Sequence, residues 1–184
     1  MDLTGQLLIA MPGMSDPRFS RSVVFICAYS EEGAMGLIVN KHARGITLSE
    51  VFSRLDLTGS QAVNGVPVHI GGPVETERGF VLHRDRARLT PDTLMIGDGY
   101  VVTATQDILK DIAIGEGPDP VLFALGYSGW GPGQLEKEIG QNGWLTAAAT
   151  PELVFGAAHD AMWESALGSI GIDPITLSGV AGRA

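Results

Sequence analysis

Glycine accounts for 25 of the 184 residues, about twice the ~7% usual in globular proteins. It is clustered and has no period. The clusters are Gly71-Gly72-Pro73, Gly97-Asp98-Gly99 and the stretch from Gly126 to Gly133. Lack of a repeat rules out a collagen-like chain, and the intervening apolar runs rule out a flexible linker. Glycine clusters between such runs mark tight turns between strands, or places where backbone is brought close to another group with no side chain between.

The apolar runs supply those strands. Gln6–Ala10 reads as a short strand stopped by Met11-Pro12-Gly13, and Ser22–Tyr29 is β-branched and aromatic. Glu31-Glu32-Gly33 turns the chain into a return strand over Ala34–Asn40. Val66–Ile70 and Arg78–Arg84 read as further strands, and Leu94–Ile96 with Tyr100–Thr103 as a hairpin about Gly97-Asp98-Gly99. Val121–Tyr127 is continuously apolar, the pattern of a central strand covered on both faces. Trp144–Ala149 reads as a strand.

Helices show by period and caps. Thr47 and Glu50 have capping-box spacing, and Leu48, Val51, Phe52 and Leu55 follow on one face. Thr105 is placed to cap a helix over Gln106–Ile114. Pro132–Gly140 reads as a helix entered from a glycine turn, and His159–Ile170 has apolar residues at helical spacing. Glu152–Phe155 is ambiguous between strand and helix, and the tail after Asp173-Pro174 reads as an edge segment with a frayed end. The expected fold is α/β with α+β character: a single domain over residues 1–184, with room for a small β-rich lobe, in which an irregular mixed β-sheet is flanked by helices.

Charge and cysteine content narrow the function. Lys and Arg total 12 against 21 Asp and Glu, a net charge of −9 at pH 7. Residues 1–88 balance nine basic against nine acidic groups, so the excess lies in the second half. That balance opposes general binding to nucleic acid or anionic membrane, which needs clustered positive charge. Arg84, Arg86 and Arg88 alternate and would share one face of an extended chain, as an anion site requires. A salt-bridged strand and turn with Glu75, Glu77 and Asp85 is the preferred reading. The single cysteine, Cys27, lies in an apolar strand and reads as a buried, inert thiol. With no disulfide, no leader-like N-terminus and no long apolar run, a cytoplasmic protein is expected.

Catalytic motifs do not assemble. The segment Leu125-Gly126-Tyr127-Ser128-Gly129-Trp130-Gly131-Pro132-Gly133-Gln134 has neither P-loop nor dinucleotide spacing. Trp130 occupies the position where a nucleophile elbow needs glycine, which argues against Ser128. Its glycines read as permitting Trp130 and the following helix to pack closely on the sheet. His42, His69, His83 and His159 show no ligand-type spacing. A meeting of His69 with His83 across neighbouring strands reads as incidental, so no metal and no cofactor are expected. Glu136 and Glu138 stand two apart on a helix and point in different directions.

Ordered motifs run along nearly the whole chain. They are Gly5-Gln6-Leu7-Leu8-Ile9-Ala10-Met11-Pro12 with Met14, Asp16-Pro17 and Phe19; Ser22-Val23-Val24; and Gly33-Ala34-Met35-Gly36-Leu37-Ile38-Val39-Asn40. Then come Gly71-Gly72-Pro73-Val74, Arg78-Gly79-Phe80-Val81-Leu82-His83, and Leu125-Gly126-Tyr127. The last are Gly129-Trp130-Gly131-Pro132-Gly133-Gln134-Leu135-Glu136 with Glu138, Asn142 and Trp144-Leu145. In these the chain resembles the bacterial YqgE/AlgH family, departing at Tyr29, where the family usually has His, and at Ser128, where it has Ala. The resemblance implies an α/β fold with an irregular mixed sheet and flanking helices. Some family members are labelled transcriptional regulators; no activity, cofactor or catalytic residue comes with the resemblance.

The favoured function is a non-catalytic binding or regulatory protein that recognises a small molecule or a protein segment. Its candidate crevice is Asn40, Gly72, Arg78, Trp130 and Gln134. Regulation of transcription through a protein partner, without direct DNA contact, is the first alternative. The second is an enzyme assembled across the fold, for example from His83, Asp16 and Glu136. No membrane partner is expected.

Overall fold

The computed structural model describes residues 2–58, 65–86, 89–97 and 99–177. Among these the strands are β1 (Gln6–Ala10), β2 (Val23–Ser30), β3 (Gly33–Ile38), β4 (Val68–Ile70), β5 (Val74–His83), β6 (Thr93–Ile96), β7 (Tyr100–Thr103), β8 (Val121–Trp130) and β9 (Trp144–Ala148). The α-helices are α1 (Leu48–Arg54), α2 (Gln106–Ala113), α3 (Gln134–Gly140) and α4 (His159–Ser169). Eight strands run in the order β6-β7-β5-β8-β3-β2-β1-β9, every neighbouring pair antiparallel. β4 adds a parallel pairing to β8, so the sheet is mixed, as the sequence implies.

Alternation along the strands sorts side chains into layers. Leu7 and Ile9 of β1 join Val23, Phe25 and Cys27 of β2 in a core closed by Met162, Trp163, Ala166 and Leu167 of α4. The intervening Leu8, Ala10, Val24 and Ile26 face a second cluster with Trp130, Leu135 and Trp144. A third cluster lies beneath α1 and α2, where Leu48, Phe52, Ile108, Leu109 and Ile112 meet Val68, Val81 and Phe123. Each large side chain fully buried in this way contributes about 1.5–3 kcal/mol of transfer free energy.

β8 joins the two halves of the sheet. Its first half pairs with β5 and β4, and its last three residues pair with β3. The β5 pairing is interrupted by a bulge around Gly126, which has φ +71, resumes where Tyr127 faces Val74, and gives way to β3 from Ser128. Gly71 and Gly72 cross there. Gly71 N–H donates to Leu125 O (2.8 Å), and Ile38 N–H donates to Gly71 O (2.8 Å). A Cβ on Gly71 would fall well under 3.0 Å from Gly126 O, and one on Gly72 would overlap Tyr127 C and Ser128 N. Backbone lies directly on backbone, so any side chain is excluded.

Several expectations shift at their edges. β8 continues through Trp130 instead of turning at its glycines, and α3 begins at Gln134 after Gly133, which is left-handed (φ 69). Pairing of Ala34, Met35 and Gly36 with Trp130, Gly129 and Ser128 satisfies the backbone there and overrides the weak strand preference of glycine. β5 begins at Val74 and ends at His83, so the alternating arginines do not continue a strand. Arg84 instead lies over the Tyr100 ring (5.3 Å), and Arg88 is outside the described residues, as is Asp98 of the β6–β7 turn. The Thr47–Glu50 capping box forms reciprocally, with Glu50 N–H to Thr47 Oγ1 at 3.2 Å and Thr47 N–H to Glu50 Oε2 at 2.7 Å. Thr105 is the N-cap of α2 by position but makes no side-chain cap bond. Glu152–Gly156 winds as a π-helical turn, and Pro174–Leu177 is a 3-10 turn; the terminal segment expected to fray lies outside the described residues. Among the described residues no helix is long and apolar enough to cross a membrane.

Replacing Gly72 with Ala should destabilise the protein by about 3 kcal/mol, since the added methyl can only be accommodated by moving backbone. At Gly13 an added Cβ would meet nothing within 4 Å, so Ala there should be tolerated within about 0.5 kcal/mol. Urea unfolding of the two variants measures the contrast.

Candidate functional site

One carboxylate organises the most glycine-rich part of the chain. Glu138 Oε2 accepts from the indole N–H of Trp130 (3.0 Å) and from that of Trp144 (2.8 Å). Its Oε1 accepts from Gln134 Nε2 (2.9 Å). Local structure sets this up. Gly133 starts α3, Gln134 Oε1 accepts from Gly131 N–H (3.0 Å), and Glu138 lies one turn after Gln134 on the same face. Asn142, at φ 56, ends the helix: Asn142 N–H donates to Ile139 O (2.9 Å) and Gly143 N–H to Glu138 O (2.8 Å). This is the paired bonding of a Schellman end, with Asn in the left-handed position that it tolerates better than most residues. The stop delivers Trp144 straight into β9 beside Glu138.

The two indoles meet edge to face, with centroids 5.9 Å apart, and Phe19 packs on both. They floor a cleft of about 770 Å³, walled by Met11, Met14, Pro73, Gln141 and Asn142. At its edge Arg18 Nη2 donates to Asp16 Oδ2 (2.6 Å), and hydrogen bonds from Arg18 hold the Asp16 carboxyl below its ordinary range. The cleft is therefore aromatic and thioether-rich below, with amide groups and one neutralised ion pair around it.

Two of the five crevice residues read from sequence, Trp130 and Gln134, line this cleft. Gly72 lies behind it in the glycine crossing, next to the lining residue Pro73. Asn40 serves the sheet instead. Its Oδ1 accepts from Val23 N–H (2.8 Å) and its Nδ2 donates to Arg21 O (2.9 Å), so its amide stands in for backbone where β3 has ended. Arg78 is on the exposed stretch of β5, paired with Glu75 (3.3 Å) and lying over the Phe80 ring (5.2 Å), beside a separate shallow hollow. Sequence reasoning missed Glu138 as the organiser, although a carboxylate among Trp130, Gln134 and Trp144 was the available signal.

The residues considered for catalysis are dispersed. Ser128 is fully buried and donates to Gly71 O (3.2 Å). Glu136 accepts from Tyr29 OH (2.6 Å), while Glu138 faces the indoles, so the two carboxylates do point apart. His83 is buried on β5: its Nδ1 accepts from Asp85 N–H (3.2 Å) and its Nε2 donates to Thr103 Oγ1 (3.1 Å). His83, Asp16 and Glu136 are thus each engaged by a different partner on a different element. Cys27 is 1% exposed, and burial pushes its thiol up to about 12.

The histidines are placed differently from the sequence expectation. His69 and His83 lie on β4 and β5, which flank β8 and do not pair with each other. His69 instead meets His42 and His159, and one ring nitrogen from each of the three lies within 4.8 Å of the others. Among the described residues this is the group suited to hold a metal ion. Burial, and then His159 nearby, lowers the His69 imidazole to about 4, and burial lowers that of His159 as well.

Comparison with known proteins settles the kinship that the ordered motifs suggest. A profile of the family described as AlgH-like matches residues 7–175. The chain belongs to the AlgH-like family. A UPF0301 protein of Ruegeria pomeroyi is 56% identical over the full length of both chains, and one of Paracoccus denitrificans is 50% identical over all of this chain and 97% of its own. The solution structure of AlgH from Pseudomonas aeruginosa superposes with a TM-score of 0.80 at 38% identity, covering 98% of this chain and 95% of that one. A Corynebacterium diphtheriae protein shares the fold at TM-score 0.75 and 21% identity, over 95% of this chain and 90% of its own.

Glu138→Ala should cost about 2–5 kcal/mol, because it leaves two largely buried indole N–H groups without an acceptor. Glu138→Gln retains an oxygen for the indoles and should cost less than half as much; chemical unfolding followed by tryptophan fluorescence compares them. Cys27 should resist alkylation at pH 8 in the folded protein and react fully in denaturant, which mass spectrometry reads directly.

Proposed function

We propose that this AlgH-like protein is a binding or regulatory protein of the cytoplasm that recognises a small molecule or a protein segment in the Trp130–Trp144 cleft and does no chemistry there. The observation that carries the reading is the commitment of Glu138. The carboxylate at the cleft accepts three side-chain hydrogen bonds from its own motif, which fits a part that holds a surface in shape rather than one that moves protons. Aromatic edges, the Met11 and Met14 thioethers, and the amides of Gln134, Gln141 and Asn142 suit an uncharged, partly apolar ligand or an extended peptide.

Regulation of transcription, a label attached to some family members, fits this reading if it acts through a protein partner. A net charge of −9 opposes the phosphate neutralisation that duplex binding draws on.

Thermal unfolding against a library of metabolites and short peptides tests the cleft. A ligand at 100 times its Kd adds about 2.7 kcal/mol and should raise the midpoint by roughly 5–10 °C. The shift should disappear in Gln134→Ala and in Asn142→Gly, neither of which removes a partner of the two indole bonds to Glu138 Oε2. A shift that survives both substitutions would place the ligand elsewhere.

A further inference from the structure

Three segments far apart in sequence bring His42, His69 and His159 together. The chain at 41–43 runs antiparallel to β4, with Ala43 N–H donating to Val68 O and Ile70 N–H to Lys41 O, both at 2.8 Å. These bonds flank the bridge that sets His42 opposite His69. His159 is the first residue of α4, a helix anchored by buried Met162, Trp163, Ala166 and Leu167 and by the bond from Trp163 Nε1 to Ala10 O (2.8 Å). All three side chains are carried by elements that packing holds in place.

Hydrogen bonding sets the direction of the central ring. His69 Nδ1 lies 3.0 Å from Phe123 O, a carbonyl that can only accept. Nδ1 therefore carries the proton, and Nε2 presents a lone pair. Such a bond from the second nitrogen to a carbonyl is the usual support of a metal-bound imidazole. His69 Nε2 faces His159 Nε2, and the His42 ring lies 3.9 Å from that of His159 and 5.2 Å from that of His69, centroid to centroid.

We propose that His42, His69 and His159 bind one first-row divalent metal ion of the zinc class, through three imidazole nitrogens, with a further position open to solvent. Ligand nitrogens that all lie within 4.8 Å of one another need only small ring rotations to reach the roughly 3.3–3.4 Å separation implied by tetrahedral Zn–N bonds of ~2.0–2.1 Å. An all-imidazole set suits zinc, copper or nickel and not calcium or magnesium, which require oxygen. His69 closes the inner side, 2% exposed. His42 and His159 line a hollow of about 720 Å³ with Thr47, Ser49 and Pro67, from which water or an anionic group can complete the coordination. The partial positive charge at the start of α4 opposes a cation, and the carboxylate of Asp160, which acts electrostatically on His159, offsets it. Among the described residues this hollow and the Trp130–Trp144 cleft have separate linings, so the metal site stands or falls separately from the cleft reading.

The test is metal titration of the chelator-stripped full chain with Zn²⁺, in competition with a chromophoric chelator, and with Co²⁺ followed by visible absorption. Wild type should bind one equivalent, and Co²⁺ should develop the intense visible bands of a tetrahedral site. His42→Ala and His159→Ala should each weaken binding by at least the ~10–100-fold that loss of an outer-shell partner costs. The double variant should lose the stoichiometric site, with its fold checked by circular dichroism. Nitrogen NMR of wild type gives a readout that needs no variant: one equivalent of Zn²⁺ should move the ring signals of His42, His69 and His159 and leave those of His83 in place. Absence of stoichiometric binding to wild type would reduce the cluster to a shared hydrogen bond and overturn the proposal. So would equal binding by the double variant, or an imidazole response in which His83 shifts along with the others.

Discussion

Where Gly71-Gly72 crosses the Gly126–Ser128 stretch, two backbones touch with no side chain between them, and the sheet is built around that contact. It lets β8 leave β5 and β4 and continue along β3, so one strand serves both halves of the sheet. Without the close approach, Gly71 could not donate to Leu125 O while accepting from Ile38. The three cores lie on the faces of this joined sheet, and their alternating burial requires the register that the crossing sets.

The cleft is a consequence of the same strand. Because β8 runs on to Trp130 rather than turning at Gly126, Trp130 reaches α3, and the Asn142–Gly143 helix end returns Trp144 to the same carboxylate. A Glu near two indoles would ordinarily invite a catalytic reading. Here its hydrogen bonds fasten a helix to two strands. The Asp16–Arg18 pair at the rim is exposed and adds little stability, but it keeps the edge of the cleft close to electrically neutral.

Much of the fold is legible in the chain's local chemistry. The capping box at Thr47 and Glu50, the hairpin about Gly97, the covered strand from Val121 and the burial of Cys27 all follow from cap hydrogen bonds, turn residues and apolar runs. Local reading fails where tertiary pairing outweighs local preference. The glycine-rich stretch from Gly126 looks like a turn because glycine weakens a strand, yet pairing with β3 satisfies the backbone at Ser128–Trp130. Asn40 looks available for a ligand, but it stands where a strand ends and its amide replaces two backbone partners. Arg78 and Trp130 occupy equally prominent motifs, and no local rule shows that only Trp130 faces the cleft.

Composition, periodicity and ordered motifs are local or additive properties of the chain. They suffice for the family, the mixed sheet with flanking helices, the lack of catalytic spacing and the acidic balance. Which polar groups meet is a tertiary matter. His42, His69 and His159 converge because an antiparallel bridge and a helix start are brought together by packing, and Glu138 meets Trp130 and Trp144 because a strand, a helix and its end close on one point. Side chains far apart in sequence acquire a common chemistry only when backbone pairing and core burial set their distance and direction, and neither quantity is written in residue spacing.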